Sequence, residues 1–216
     1  MPLIDYLIKA GWLKTPRIIK AFLEIKRADF LPEALKNLAE LNEALPIGYG
    51  QTISQPLVVA FMLEQLQPEE GDKILDVGAG SGWTSALLGE IVGDKGKVIA
   101  IEFIPELKTF GENNAAKYSF IKKGQIQFFL ADGSKGCEKE APFDKILCSA
   151  AVPPPRNKIS NGAQKAIPPS WKKQLKVGGR IVAPIGSSIW LFIKRNETEF
   201  EEVEYPGFTF VPLVEQ

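Results

Sequence analysis

Lys73–Val77 reads KILDV, and Gly78–Gly82 directly after it reads GAGSG. The first five residues are mostly apolar, the pattern of a strand buried on both faces. The next five carry three glycines, which let the backbone turn tightly and approach a ligand with no side chain between. Thr84–Val92 then predicts a helix. The glycines run G-x-G-x-G. A dinucleotide fingerprint, G-x-G-x-x-G, would place a glycine where this chain has Trp83, so a pyrophosphate fits poorly. Asp76, at the strand end, points the same way, because a carboxylate is unfavourable beside phosphates and favourable beside a cation.

Downstream the same unit repeats. Lys97–Ile101 (KVIAI) predicts a strand, Pro105–Tyr118 a helix, Gln125–Leu130 (QIQFFL) a third strand and Lys145–Ser149 (KILCS) a fourth. This cadence implies a parallel sheet with helices on its faces. Arg180–Pro184, Ile189–Lys194 and Phe208–Leu213 read as later strands with connections short enough for antiparallel pairing. The expected fold is therefore α/β and Rossmann-like, a mostly parallel doubly wound sheet with antiparallel C-terminal strands and an N-terminal helical extension. Upstream, residues 3–12 and 16–27 read as helices, with the Thr15 hydroxyl capping a start at Pro16. Pro32 opens a short helical stretch, Leu45–Gln55 is a loop, and Pro56–Leu66 is a helix ended by Pro68 and Gly71. PPPRNKISNGAQKAIP, residues 153–168, has prolines, Asn-Gly and no period, and reads as a mobile insertion. One domain over 1–216 is expected: 1–56 would supply the helices and a loop, and 57–216 the core.

Composition narrows the chemistry. The 216 residues are 45% hydrophobic, enough for a sizeable core, and Lys+Arg balances Asp+Glu at 26 each, so no nucleic-acid partner is expected. Histidine is absent, which excludes Ser-His-Asp triads, Cys-His pairs and His-bearing zinc sites. Cys137 and Cys148 are too few for a Cys-only zinc site, so no metal is expected. Cys148 sits in an apolar run and reads as a small buried hydrophobe. So few cysteines suit a reducing cytoplasm. The opening MPLIDYLIKAGWLKT lacks the basic start and apolar block of a signal peptide, and no run of 18 apolar residues predicts a membrane span.

Two further acids fall at strand ends. Glu102 closes the second strand, 20 positions after Gly82, where a carboxylate can accept from ribose hydroxyls. Asp132, in Ala131-Asp132-Gly133, follows the third strand and suits an exocyclic purine amine. Taken singly, the glycine stretch is also an ordinary strand–helix turn, Glu102 a solvated strand end and Asp132-Gly133 a turn. Together they sit along the sheet edge where open α/β proteins bind ligands. The implied ligand has a ribose, a purine and a positive group, with no phosphate.

These residues resemble class I S-adenosylmethionine-dependent methyltransferases. Gly48–Pro56 (GYGQTISQP), with RADFLP at 27–32, IEFIPEL, ADGSKG, APFDKIL, IPPSWKKQLKVGGRIVAPIG and the terminal FVPL, narrows the resemblance to protein-L-isoaspartate O-methyltransferases. The resemblance implies methyl transfer to the α-carboxyl of L-isoaspartyl residues, and also to D-aspartyl residues, in damaged proteins. The cofactor would be S-adenosyl-L-methionine, the product S-adenosyl-L-homocysteine and the protein a monomer. It makes Ser54 the active-site hydroxyl. It places Gln51, Thr52, Ile53, Ser54, Asp76, Gly78, Gly80, Glu102, Phe103, Asp132 and Gly133 on cofactor positions. Ile53, Ser54, Val211, Pro212 and Leu213 fall on substrate positions. The acceptor carboxylate is already ionised at pH 7 and needs no general base, so the missing histidine is no handicap. Ser54 also reads as an N-cap before Pro56. Two departures bear on substrate: residues 154–166 look inserted, and Ser187-Ser188-Ile189-Trp190 stands where many relatives have a glutamine. Rival readings are a methyltransferase of this fold acting on a small molecule or RNA, a nicotinamide oxidoreductase (disfavoured by Trp83 and Asp76), and a noncatalytic binding module.

Overall fold

A computed structural model describes residues 2–153 and 167–213; the expected insertion at 154–166 lies outside them. Seven strands form one sheet: β3 (Lys73–Val77), β4 (Lys97–Glu102), β5 (Ile126–Leu130), β6 (Phe143–Cys148), β7 (Leu175–Ile185), β8 (Ser188–Lys194) and β9 (Phe200–Pro206), in the order 5-4-3-6-7-8-9. From β5 to β7 neighbours run parallel, and β8 and β9 complete the sheet antiparallel. The chain moves outward from β3 through β4 to β5, then returns to β3's other side as β6. The β3 tip is thus the point where strand order reverses, the place where such sheets leave a crevice.

The near-continuous apolar character of β3 and β4 follows from burial on both faces. Ile74, Val98 and Ala100 pack into one core with helices α1 (Leu3–Lys9), α2 (Pro16–Glu24), α3 (Pro56–Leu66), α4 (Trp83–Val92) and α5 (Pro105–Ala116). Leu75, Val77, Ile99 and Ile101 alternate to the opposite face. There they meet Trp171 of α6 (Pro169–Gln174) and Phe143, Cys148 and Phe192.

Several expectations change in detail. Leu45–Gln55 is not a plain loop: β1 (Leu45–Gly48) and β2 (Gln51–Ile53) pair antiparallel as a two-stranded hairpin, with Tyr49 and Gly50 both at positive φ in its turn. Strand alternation over so few residues is too short to read. Phe208–Leu213 is not a strand. The last antiparallel strand is β9, whose sequence FEEVEYP is masked by its glutamates, a composition that suits an edge strand. The 208–213 segment instead returns to the parallel end, where the Ala151 N–H donates to the Val211 carbonyl and the Leu213 N–H to the Ala151 carbonyl, both at 2.8 Å. The second predicted helix stops at Glu24, and Arg27–Phe30 forms a separate 3₁₀ turn. Thr15 does stand at the N-cap of α2, but its hydroxyl makes no capping bond and donates to Glu64 at 2.7 Å.

Candidate active site

The turn after β3 is held by backbone contacts. Gly78 and Ala79 N–H donate to the Ile101 carbonyl at 2.9 and 3.0 Å, and the Asn114 amide of α5 donates to the Ser81 carbonyl at 3.0 Å. Gly78, Gly80 and Gly82 all have positive φ. Gly82 is required less by a ligand than by packing: a Cβ there would lie 2.6 Å from the Gly111 carbonyl oxygen of α5. Gly133 likewise has no room for a side chain, since its Cβ would fall 2.5 Å from Val77 Cγ1.

Glu102 locks the turn to the tip of β4. One carboxylate oxygen accepts from Gly80 N–H at 2.8 Å; the other accepts from Phe103 and Ile104 N–H at 2.8 and 3.0 Å. Each oxygen can accept more than one hydrogen bond, so the carboxylate keeps capacity for ligand hydroxyls. Asp76 lies fully buried beneath the turn. One oxygen accepts from the Thr84 and Ser85 hydroxyls at 2.9 and 2.6 Å, and the other has no partner. Burial pushes this carboxyl up to about 6; the Ser85 and Thr84 hydroxyls pull against that, and the Glu102 charge adds to it. Asp132 caps the 3₁₀ turn Gly133–Lys135, accepting from Ser134 N–H and hydroxyl at 2.9 and 2.7 Å, and pairs with Lys135 at 3.3 Å. Burial works to raise Asp132, but the Ser134 and Lys135 contacts outweigh it and hold the carboxyl below its usual range.

These turns surround a cavity that is open to solvent. The structure brings to its walls Gln51, Thr52, Ile53 and Ser54 from β2 and its exit, Gly78 and Gly80, Glu102 and Phe103, Gly133, and Val211, Pro212 and Leu213. Asp76 and Asp132 are not among the wall residues: Asp76 acts from below on α4, and Asp132 shapes the turn that presents Gly133. The Ser54 N-cap reading does not hold either, because the N-cap of α3 is Gln55 and no side chain caps from that position. A second cavity adjoins the first. Thr52, Ser54, Ser149 and Val211 line both, and the second adds Ala44, Gln55, Val58, Thr209 and Phe210. Its lining carries no charged side chain.

Sequence reasoning missed the support behind these walls. Trp171 Nε1 donates to the Gly133 carbonyl at 2.8 Å, Ser170 to the Ser134 carbonyl at 2.5 Å, and Gln174 to the Lys135 carbonyl at 3.0 Å while accepting from Cys137 N–H at 2.8 Å. Helix α6 is therefore a brace on the turn after β5. Its signal was present as S-W-x-x-Q after Pro168-Pro169, whose spacing puts Trp171 and Gln174 on one helix face. Ser149, common to both cavities, was also missed because it was assigned to the end of a buried strand.

Comparison with known proteins agrees with this geometry. A family model described as Protein-L-isoaspartate(D-aspartate) O-methyltransferase (PCMT) matches residues 1–216. The protein-L-isoaspartate O-methyltransferase of Methanopyrus kandleri is 38% identical over 216 residues, 98% of this chain and 89% of the relative. Protein-L-isoaspartate O-methyltransferase 2 of Archaeoglobus fulgidus is 42% identical over 200 residues, 91% of this chain and 84% of the relative. Among solved structures, a protein-L-isoaspartate O-methyltransferase superposes with a TM-score of 0.83 at 26% identity, over 97% of this chain and 64% of that one. A Plasmodium falciparum chain crystallised with S-adenosyl-L-homocysteine shares the fold with a TM-score of 0.81 at 19% identity, covering 99% and 97% of the two chains.

Proposed function

The chain belongs to the protein-L-isoaspartate(D-aspartate) O-methyltransferase family, and from that premise we propose how its residues divide the work. The reaction is transfer of a methyl group from S-adenosyl-L-methionine to the α-carboxyl of L-isoaspartyl residues in damaged proteins, the step that opens their repair. The cofactor supplies an electrophilic methyl on a positively charged sulfur. We assign the first cavity to it. Glu102 accepts from its ribose, Gly78 and Gly80 let the backbone approach, and Gln51, Thr52, Ile53, Phe103 and Gly133 complete the walls. Asp132 serves indirectly, by fixing the turn that carries Gly133. Asp76 contributes negative potential from beneath the glycine turn.

The second cavity takes the acceptor: Val211 lines it, while Ile53, Pro212 and Leu213 stand on the wall of the adjoining first cavity. Ser54 donates a hydrogen bond to the acceptor carboxylate and aims it; the hydroxyl does not itself attack. The observation that carries this reading is the set of residues common to the two cavities: Thr52, Ser54, Ser149 and Val211. Three of them are hydroxyls and none is a base, and an acceptor already ionised needs orientation and desolvation only. The formal net charge of zero disfavours an RNA substrate. We read the protein as a single cytoplasmic domain. In support, Cys137 and Cys148 are both free and buried, which suits a reducing compartment. The family resemblance carries our reading of the protein as a monomer.

Labelled methyl transfer to an isoaspartyl peptide, with the matching aspartyl peptide as control, tests the assignment. Strong labelling of the first alone is expected. Equal labelling of both, or of neither, overturns it.

A further inference from the structure

Arg27 is a buried cation with no established part in the chemistry described above. Only 7% of its surface is exposed. Its guanidinium donates to the carbonyls of Ala39 at 3.1 Å, Leu41 at 3.0 Å, Glu43 at 2.7 Å and Ser54 at 3.3 Å. The Cζ of the same group lies over the Trp83 ring, 5.4 Å from its centre, and Trp83 lines the first cavity. Burial lowers Arg27 to about 10, with Glu40 offering partial compensation. Its charge is therefore met by carbonyl dipoles and an aromatic face, with no hydrogen bond to a carboxylate.

The pattern of contacts has a direction. Three of the four carbonyls bracket residues 39–43, and Asn42 sits inside that bracket. The Asn42 side chain accepts from Leu57 N–H at 3.0 Å, capping α3, and its carbonyl accepts from the Gln55 amide at 2.8 Å. The fourth carbonyl belongs to Ser54 itself. The short segment Ser54–Gln55 is thus held directly by the guanidinium and again through Asn42. The planar fork is suited to this because it presents several donors in fixed directions; a lysine ammonium cannot span four acceptors.

We infer that Arg27 is a positioning residue for methyl transfer, fixing the backbone of Ser54 relative to Trp83 so that the acceptor carboxylate and the cofactor cavity stay in register. The inference rests on Ser54 orienting the acceptor. A misplacement of about 1 Å in such a reaction costs on the order of 100-fold in rate, so modest slack in this segment reads out strongly in turnover.

The test compares Arg27→Lys and Arg27→Met with wild type, measuring kcat and KM for an isoaspartyl peptide, S-adenosyl-L-homocysteine affinity by calorimetry, and thermal unfolding. Arg27→Lys is expected to lower kcat by about 30-fold while it still binds S-adenosyl-L-homocysteine within about threefold of wild type. Arg27→Met is expected to do no better. A kcat for Arg27→Lys within about threefold of wild type overturns the inference, as does a kcat loss matched by an equal loss of S-adenosyl-L-homocysteine affinity. If Arg27→Met fails to fold, Arg27→Lys alone carries the test, with thermal unfolding showing that its fold is kept and the same threefold limit on kcat deciding the outcome. A wild type that labels no isoaspartyl peptide sinks the functional assignment and this inference together. Activity lost in Ser54→Ala but kept in Arg27→Lys sinks this inference alone.

Discussion

The two walls of the site are built in different ways. The wall we assign to the cofactor is made of turns after β3, β4 and β5, and the sheet register sets their spacing: Val77 pairs with Ile101, and Glu102 with Leu130. The wall we assign to the acceptor is made of the β1–β2 hairpin, whose Gln51–Ile53 strand also reaches the first cavity, and the 208–213 segment, far apart in the sequence. Side chains and a few backbone bonds hold them in place. One wall comes with the fold; the other is fastened onto it. Damage to the first should therefore appear as lost stability and lost cofactor, and damage to the second as lost turnover or peptide affinity.

The largest expected effect is on the first wall. Gly82→Ala forces a residue at φ +82° and drives its Cβ to 2.6 Å from the Gly111 carbonyl oxygen. The strained backbone and the overlap together should cost about 3 kcal/mol or more. Urea unfolding should show that loss, and calorimetry the loss of S-adenosyl-L-homocysteine binding. Gly50, in the hairpin turn, has φ +71° with open space around its would-be Cβ. Gly50→Ala should cost only about 1 kcal/mol and leave cofactor binding intact. Similar damage from both substitutions would erase the proposed contrast.

Asp76 gives the first wall a pH signature. Its carboxyl sits at about 6 in the folded protein against an ordinary 3.8, chiefly through burial, so folding favours the protonated form. That advantage is complete below about pH 4 and is lost as pH rises through 6, above which the folded state carries a buried charge at a cost of about 3 kcal/mol. Wild type should lose stability relative to Asp76→Asn as pH is raised from 4 to 7. Comparing the two proteins cancels the opposite trend from Asp132 and Glu140, whose carboxyls are held low. Parallel stability curves would contradict this account of Asp76.

The same contrast explains what could be read from the sequence. Strands β3, β4 and the second half of β6 announce themselves because burial on both faces demands continuous apolar runs, and β5, at the sheet edge, shows as a short apolar alternation. The glycine turn is equally legible because positive φ selects glycine. Glu102 follows from its place at a strand tip. The sequence pattern is weaker where structure depends on single long-range contacts. The β1–β2 hairpin has strands of four and three residues, too short for alternation to register. β9 hides behind its glutamates, while FTFVPL at 208–213 has the composition of a strand without the pairing. Arg27 and Trp171 are visible as residues, but their partners lie in distant turns: Arg27 reaches Ser54, and Trp171 reaches Gly133. No local period encodes such pairings.

Ser54→Ala should separate the walls in the other direction. Removing one hydrogen bond to a charged acceptor costs about 1.5–2 kcal/mol, so kcat should fall by about 20-fold. Ser54 makes no side-chain capping bond to α3, so unfolding and S-adenosyl-L-homocysteine affinity should stay near wild type. Equal loss of cofactor affinity and turnover would make Ser54 part of the first wall.

The smallest effect tests how the acceptor wall is anchored. Phe208 stacks on Phe61 of α3 with ring centres 5.2 Å apart, and Tyr205 meets the same ring edge-on at 5.0 Å. This cluster fixes where the chain leaves β9 before it crosses to Ala151. The crossing itself is pinned by the two backbone bonds between Ala151 and residues 211 and 213, which Phe208→Ala leaves untouched. The truncation removes one aromatic contact, worth about 0.5–1.5 kcal/mol beyond its buried area, and only part of that slack reaches Val211. Peptide KM should therefore rise by about threefold, with kcat and S-adenosyl-L-homocysteine affinity unchanged. A fall in kcat instead would mean that the 208–213 segment controls the alignment of the carboxylate as well as its capture, and that the acceptor wall is one mechanical unit from Arg27 to Leu213.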